Sequence, residues 1–226
     1  MGRVGAGTIP GGLITVDSTF LRNWIEEIRA AITAERDHLT QLDAAIGDAD
    51  HGVNMERGFS AVAAKLASAE GLTPGRVLMS AGATLISTVG GASGPLYGTA
   101  LREAGKALGD GEEFDAAGLL VALRAALAGV QKLGAATPGD KTMVDAFAPA
   151  LQAFGEALEM SGELAAATTA ARQAAEEGMR ATIPLQARKG RASYLGPRSM
   201  GHQDPGATST ALIFSALERV ANRPPA

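Results

Sequence analysis

Through eight segments of this chain, apolar residues return at three- and four-residue spacing, and nowhere do they alternate at period two over a strand's length. Residues on one face of a 3.6-residue helix recur in that way, so each segment is predicted to be an amphipathic helix. The first runs from Asp17 or Ser18, either a good N-cap, to Leu42, with Trp24, Ile25, Ile28, Ile32, Leu39 and Leu42 on its stripe. The second, residues 53–68, carries Met55, Phe59, Val62 and Leu66. The third opens at Pro74, a favoured first helical position, and runs to Val89, and the fourth follows Gly94-Pro95 to near Gly109. The fifth starts near Asp115 and carries Leu119, Leu120, Leu123, Leu127, Val130 and Leu133. The sixth begins at Asp140, the seventh near Gly162-Glu163, stopping before Pro184, and the eighth opens with Asp204-Pro205. Alanine and leucine supply most of the 46% apolar fraction and aromatics only 4%, a balance that suits helices and disfavours sheets. Short links between such helices favour an all-α, antiparallel up-and-down bundle. No linker divides it, so residues 16–226 are expected to form one domain behind a flexible, glycine-rich lead-in over residues 1–15.

The net charge of −4 and the lack of a long basic run argue against nucleic acid or an anionic membrane as partner. Without cysteine the chain has no disulfide, thiolate metal site or cysteine nucleophile, in keeping with a reducing cytoplasm. No apolar run approaches the roughly 20 residues of a membrane span, and the N-terminus lacks a signal peptide's apolar core. A soluble, cytoplasmic protein is expected.

Asp43, Asp48 and Asp50 crowd one turn between two predicted helices. Asp43 falls in a helix's last turn, where the macrodipole disfavours an anion, and the three repel one another unless a cation offsets them. Hard divalent cations such as Mg²⁺ take such oxygens, commonly a few carboxylates together with substrate phosphates. The calcium-loop pattern fails, because Val53 stands at the sharp-turn glycine and Phe59 at the bidentate glutamate. The plainer reading is a solvated turn whose Asp50 caps the next helix.

Further along, Gly90-Gly-Ala-Ser-Gly94 precedes a helix N-terminus, where exposed amides suit a phosphate; a plain helix–helix turn would look the same. Gly134-Ala-Ala-Thr-Pro-Gly-Asp-Lys-Thr142 narrowly misses a Walker A loop: Asp140 is inserted before Lys141 and no strand leads in. Asp140 reads better as the N-cap of the sixth helix. Gln186 to Gly206 forms a long polar stretch with Arg188, Lys189, Arg191 and Arg198, either a binding loop that closes over a ligand or a solvated surface loop. His38 reads as surface; His51 reads equally as a phosphate donor or as packing at a helix start. Asp204 reads as an N-cap.

Four of these stretches, in order, resemble the ADP-binding L subunits of dihydroxyacetone kinase. They are Leu42-Asp-Ala-Ala-Ile-Gly-Asp-Ala-Asp-His-Gly-Val-Asn-Met-Glu-Arg-Gly-Phe59, Gly90-Gly-Ala-Ser-Gly-Pro-Leu96, Pro138-Gly-Asp-Lys-Thr-Met143 and Gln186-Ala-Arg-Lys-Gly-Arg-Ala-Ser-Tyr-Leu-Gly196, the last continued by Gly201-His-Gln-Asp-Pro-Gly-Ala207. The resemblance implies an eight-helix antiparallel barrel with nucleotide bound in the interhelical loops at one end. It implies that Asp43, Asp48 and Asp50 hold two Mg²⁺ ions bridging to ADP or ATP. It also implies that His51, Gly52, Val53, Asn54, Ala92, Ser93, Gly134, Met143, Arg191, Asp204, Pro205 and Gly206 line the nucleotide site. Asp204 thereby gains a binding role beside its capping one. Pro184 and Ala135 depart from the family's usual residues.

In such a family this chain passes a phosphoryl group to dihydroxyacetone held covalently by a separate K subunit, with Arg191 as the catalytic residue that stabilises charge developing in transfer. ADP then serves as a coenzyme recharged by a phosphohistidine protein of the sugar phosphotransferase system. The alternatives are exchange of ATP in a triose or tetrose ketose kinase, and a non-catalytic ADP–Mg²⁺ sensor docking on a regulator. A homodimer is left open.

Overall fold

The helices begin where capping side chains take up free amides. The structure, a computed structural model, describes residues 16–223; the lead-in expected over residues 1–15 lies outside the described residues. Asp17 accepts from the backbone N–H groups of Thr19 and Phe20 and starts α1, Ser18–Ala34. The single long helix expected to Leu42 breaks at Glu35 (φ −99°, ψ 8°), and α2 runs from Arg36 to Ile46. No glycine or proline marks that break, and the apolar stripe runs through it.

The remaining helices are α3 (His51–Ala67), α4 (Pro74–Thr88), α5 (Ser93–Leu108), α6 (Ala116–Gly134), α7 (Val144–Ser161), α8 (Leu164–Ala181) and α9 (Pro205–Ala221). Two more expectations need correction. Asp140 does not cap α7: its carboxylate folds back to accept the N–H and hydroxyl of Thr137, and α7 starts only at Val144. Asp145, inside the first turn, accepts from the N–H of Thr142 instead. Nor is the stretch after α8 without regular structure, because Arg191–Ser199 forms a 3₁₀ segment of two short coils that meet at a kink at Gly196 (φ 56°, ψ −130°). Its Ser199 hydroxyl donates to Gly196 O and accepts from Ala187 N. Val16–Asp17 (β1) and Glu113–Phe114 (β2) make a two-residue antiparallel pairing, too short to leave an alternating pattern in sequence.

Counting α1 and α2 as one bent rod, successive helices pack side by side around a ring, and α9 closes it by lying on α8 and α1. The architecture is the all-α antiparallel barrel. Its interior is filled by Trp24, Ile25, Ile28 and Ile32 of α1, Phe59 of α3, Phe147 and Phe154 of α7, and Phe214 of α9. Full burial of each such side chain is worth about 1.5–3 kcal/mol. Phe147 and Phe214 meet edge to face at 5.4 Å, and Trp24 Nε1 donates to Ile213 O at 3.0 Å, so the indole leaves no buried donor unpaired. α4 and α5 touch backbone to backbone: a Cβ on Gly82 would meet Gly98 O at 2.4 Å. Despite the interruptions at Arg124 and Lys132, α6 is long and apolar enough by composition to cross a membrane, which the sequence reading missed. Here its Leu119, Leu123, Ala126 and Val130 belong to the core.

Because the chain runs up and down, the C-termini of α2, α4, α6 and α8 and the N-termini of α3, α5, α7 and α9 come to one end. The site lies there.

Candidate functional site

The last turn of α2 points Asp43 inward, and its Oδ2 accepts from the backbone N–H of Asp50 (2.9 Å) and of His51 (3.2 Å). The N-terminus of α3 thus compensates the carboxylate that the end of α2 would disfavour. The approach is tight: a Cβ on Gly47 would stand 2.0 Å from Asp43 Oδ1, so only glycine leaves room for the carboxylate. Ala49 takes a left-handed conformation (φ 62°), which for alanine costs about 1–2 kcal/mol. That turn swings Asp48 and Asp50 toward Asp43, and one carboxylate oxygen from each lies within 4.8 Å of the others. Asp43 Oδ1 accepts none of the described hydrogen bonds. Three hard oxygen donors so placed fit a Mg²⁺-type cation. Asp48 Oδ2 also pairs with Arg191 at 3.0 Å, bringing the 3₁₀ segment against the acidic corner.

Beside that corner opens a cavity of about 280 Å³. Of the residues named from sequence, Asp43, Asp48, Asp50, His51, Ala92, Ser93, Gly134, Met143, Arg191, Asp204, Pro205 and Gly206 line it. Gly52, Val53 and Asn54 lie outside the lining. Gly52 is buried where a Cβ would meet Arg36 O at 2.0 Å, so it seats α3 on α2. Val53 is exposed. Asn54 accepts from Arg57, whose Nε donates to Thr88 O, and this pair buttresses the turn at Gly90. Four helix N-termini border the cavity, and their partial positive charges favour an anion.

A buried hydrogen-bond chain stiffens the floor. His51 Nδ1 lies 3.1 Å from Ser93 Oγ, and Nε2 lies 2.9 Å from Ser209 Oγ. Burial holds the imidazole pKa below its usual value, against the pull of Asp43 and Asp50, so the ring is neutral at pH 7. A neutral ring donates through one nitrogen and accepts through the other, and both are engaged by hydroxyls. The ring thus ties the start of α3 to α5 and α9 and at the same time lines the cavity. The chain continues to Tyr97, whose hydroxyl lies 2.7 Å from Ser209 Oγ and 2.9 Å from Thr210 Oγ1, and donates to Gly206 O. Burial pushes that phenol up to about 12.

Asp204 caps α9, with Oδ2 accepting from Ala207 N at 2.7 Å, and also lines the cavity. Burial, outweighing that bond, raises its pKa from 3.8 to about 7. A carboxyl with a raised folded pKa holds a proton that the unfolded chain releases, so stability falls as pH climbs from about 4 to about 7 and then levels. Asn caps equally well but does not ionise. Asp204→Asn should therefore gain on the parent by a few kcal/mol between pH 4 and 8 in urea unfolding without ligand. Parallel curves would refute the assignment.

Tyr97, Ser209, Lys141, Thr142 and Lys189 belong to the cavity or its floor but were not named as site residues from sequence. Lys141 stood in the near-miss phosphate loop, and Lys189 in the basic stretch. Tyr97 and Ser209 carried no signal beyond lying a few residues inside α5 and α9.

Comparison with known proteins adds to the geometry. The DAK2 domain family model matches residues 45–219. The chain is 43% identical over 204 residues to the "PEP-dependent dihydroxyacetone kinase, ADP-binding subunit DhaL" of Escherichia coli K12, covering 90% of this chain and 97% of that protein. To the "PTS-dependent dihydroxyacetone kinase, ADP-binding subunit DhaL" of Lactococcus lactis it is 38% identical, covering 92% and 99% respectively. Among solved structures, the dihydroxyacetone kinase from C. freundii in complex with AMP-PNP and Mg²⁺ superposes with a TM-score of 0.68 at 26% identity. That match covers 97% of this chain but 37% of the C. freundii chain.

Proposed function

Because this chain belongs to the DAK2 domain family, we propose that it is the nucleotide-binding subunit of a dihydroxyacetone kinase, presenting a phosphoryl group to a ketose held elsewhere. One observation carries the reading: three carboxylates and four helix N-termini meet at a single cavity with an arginine at its edge. An anion alone would suit the helix ends and a cation alone the carboxylates; a metal-chelated di- or triphosphate suits both.

Asp43, Asp48 and Asp50 would hold Mg²⁺, which when bound neutralises charge on the phosphate oxygens. The Gly90–Ser93 turn and the start of α5 offer amides to the phosphates, with the Ser93 hydroxyl held by His51. Gly134, Met143, Pro205 and Gly206 give walls to the remainder of the nucleotide. Arg191, more than half exposed at the mouth, would meet charge developing on a transferring group. The ketose would come on a separate K subunit. The relatives named PEP- and PTS-dependent favour ADP as a retained coenzyme, recharged by a phosphohistidine carrier in the cytoplasm.

Freshly purified protein, denatured and analysed for released nucleotide, should yield ADP that exchanges slowly with added label. Rapid exchange with ATP would move the reading to an ATP-dependent ketose kinase. Failure to bind either nucleotide in the presence of Mg²⁺ would end it. Binding without transfer to a cognate K subunit would leave a sensor.

A further inference from the structure

Lys141 sits in the stretch that narrowly misses a phosphate-binding loop, yet its side chain does something else. The residue is 1% exposed and its backbone is left-handed (φ 62°). Its ammonium donates to Thr182 O at 2.7 Å, to Ile183 O at 3.5 Å and to His202 O. An ammonium has three protons, and three carbonyls take them. Although Lys141 borders the cavity, its head is therefore committed and not free to hold a phosphate.

The three carbonyls have a telling position. Thr182 and Ile183 are where the chain leaves α8, and His202 is where it returns to α9. Between them lies the arm that carries Arg191 to Asp48. Further ties cross the same neck: Gly201 N donates to Ile183 O, Asp204 N to Thr182 Oγ1, and Arg188 N to Asp140 O, the residue before Lys141. Those bonds join pairs of segments at the neck, whereas among the described residues the ammonium is the one group that joins both ends of the arm to the α6–α7 loop. Burial pulls the Lys141 ammonium below its usual pKa, and Asp204 and Asp145 offset part of that cost.

We propose that Lys141 is a positioning residue that clasps both ends of the 182–202 arm and so holds Arg191 over the acidic corner. The clasp stands on this geometry; its consequence for phosphoryl transfer rests on the kinase reading above.

The test compares the parent with Lys141→Met, which keeps an unbranched side chain without charge or donor, and Lys141→Gln, of the same reach as methionine but with an N–H donor. Amide hydrogen exchange over residues 185–201 should accelerate at least tenfold in the methionine variant and less in the glutamine variant, with α4 and α5 unchanged. Turnover with the acceptor subunit should fall at least tenfold in Lys141→Met, with little further loss when the same change is added to Arg191→Ala. Unchanged exchange in the arm, equal acceleration throughout the chain, or multiplicative losses in the double variant would each overturn the clasp. If Lys141→Met does not fold, Lys141→Gln is judged by the same criteria. If the parent neither binds Mg·ADP nor transfers phosphate, the kinase reading falls, while exchange in the arm still decides the clasp.

Discussion

Asp48→Ala should abolish the thermal stabilisation that ADP and Mg²⁺ together give the parent protein. Ligand at ~100 times its dissociation constant adds about 2.7 kcal/mol to a folded state that alone binds it. At about 2–4 °C per kcal/mol for a chain of this size, the parent should melt roughly 5–10 °C higher with ligand. The variant should show no resolvable shift, because two carboxylates remain where the cation needs the set. Without ligand its melting should match or exceed the parent's. Removing one of three carboxylates whose oxygens lie within 4.8 Å relieves repulsion. The lost pair with Arg191 is largely exposed and worth about 0–1 kcal/mol. That combination separates a lost site from a damaged fold. A variant that keeps the full ligand-induced shift would remove the acidic corner from the nucleotide site.

The second large effect is expected at Arg191. Arg191→Ala should lower turnover with the K subunit by about 10³-fold, the scale on which an arginine stabilises transferring phosphoryl charge. Affinity for Mg·ADP should change by less than about tenfold, since the side chain is more than half exposed at the rim of the cavity. Arg191→Lys should recover only part of the loss, as a point charge lacks the planar fork that pairs with two oxygens. Stopped-flow transfer assays beside calorimetric titration would show the split. Parallel losses in affinity and turnover would recast Arg191 as a ground-state binding residue.

The helices were legible because burial on one face leaves its mark at 3.6-residue spacing, and seven of the eight segments lie close to their predicted ranges. The break at Glu35 was not, since the stripe from Ile32 to Leu39 keeps its phase across it. Three carboxylates in one turn were conspicuous because like charges gather only at a cost. The geometry that makes them converge depends on Gly47 and on the left-handed Ala49, and an alanine in sequence says nothing of its backbone angles. Asp140 and Asp145 show a different limit. Either could start α7 by residue type, and only the folded turn decides that Asp140 serves Thr137. Tyr97, Ser209 and Lys141 act through partners on segments distant in sequence, and one-dimensional spacing does not encode such pairings.

Closure of the helix ring has a corollary for molecular architecture. α1 begins and α9 finishes at the pole opposite the cavity, with Arg219 and Arg223 of the exit reaching Glu27 of the start. The described chain therefore starts at Val16 and ends at Arg223 on the far side of the ring from the cavity. A tether joined at that pole starts opposite the opening, and one long enough to span the ring would let a covalently attached acceptor swing round to meet it.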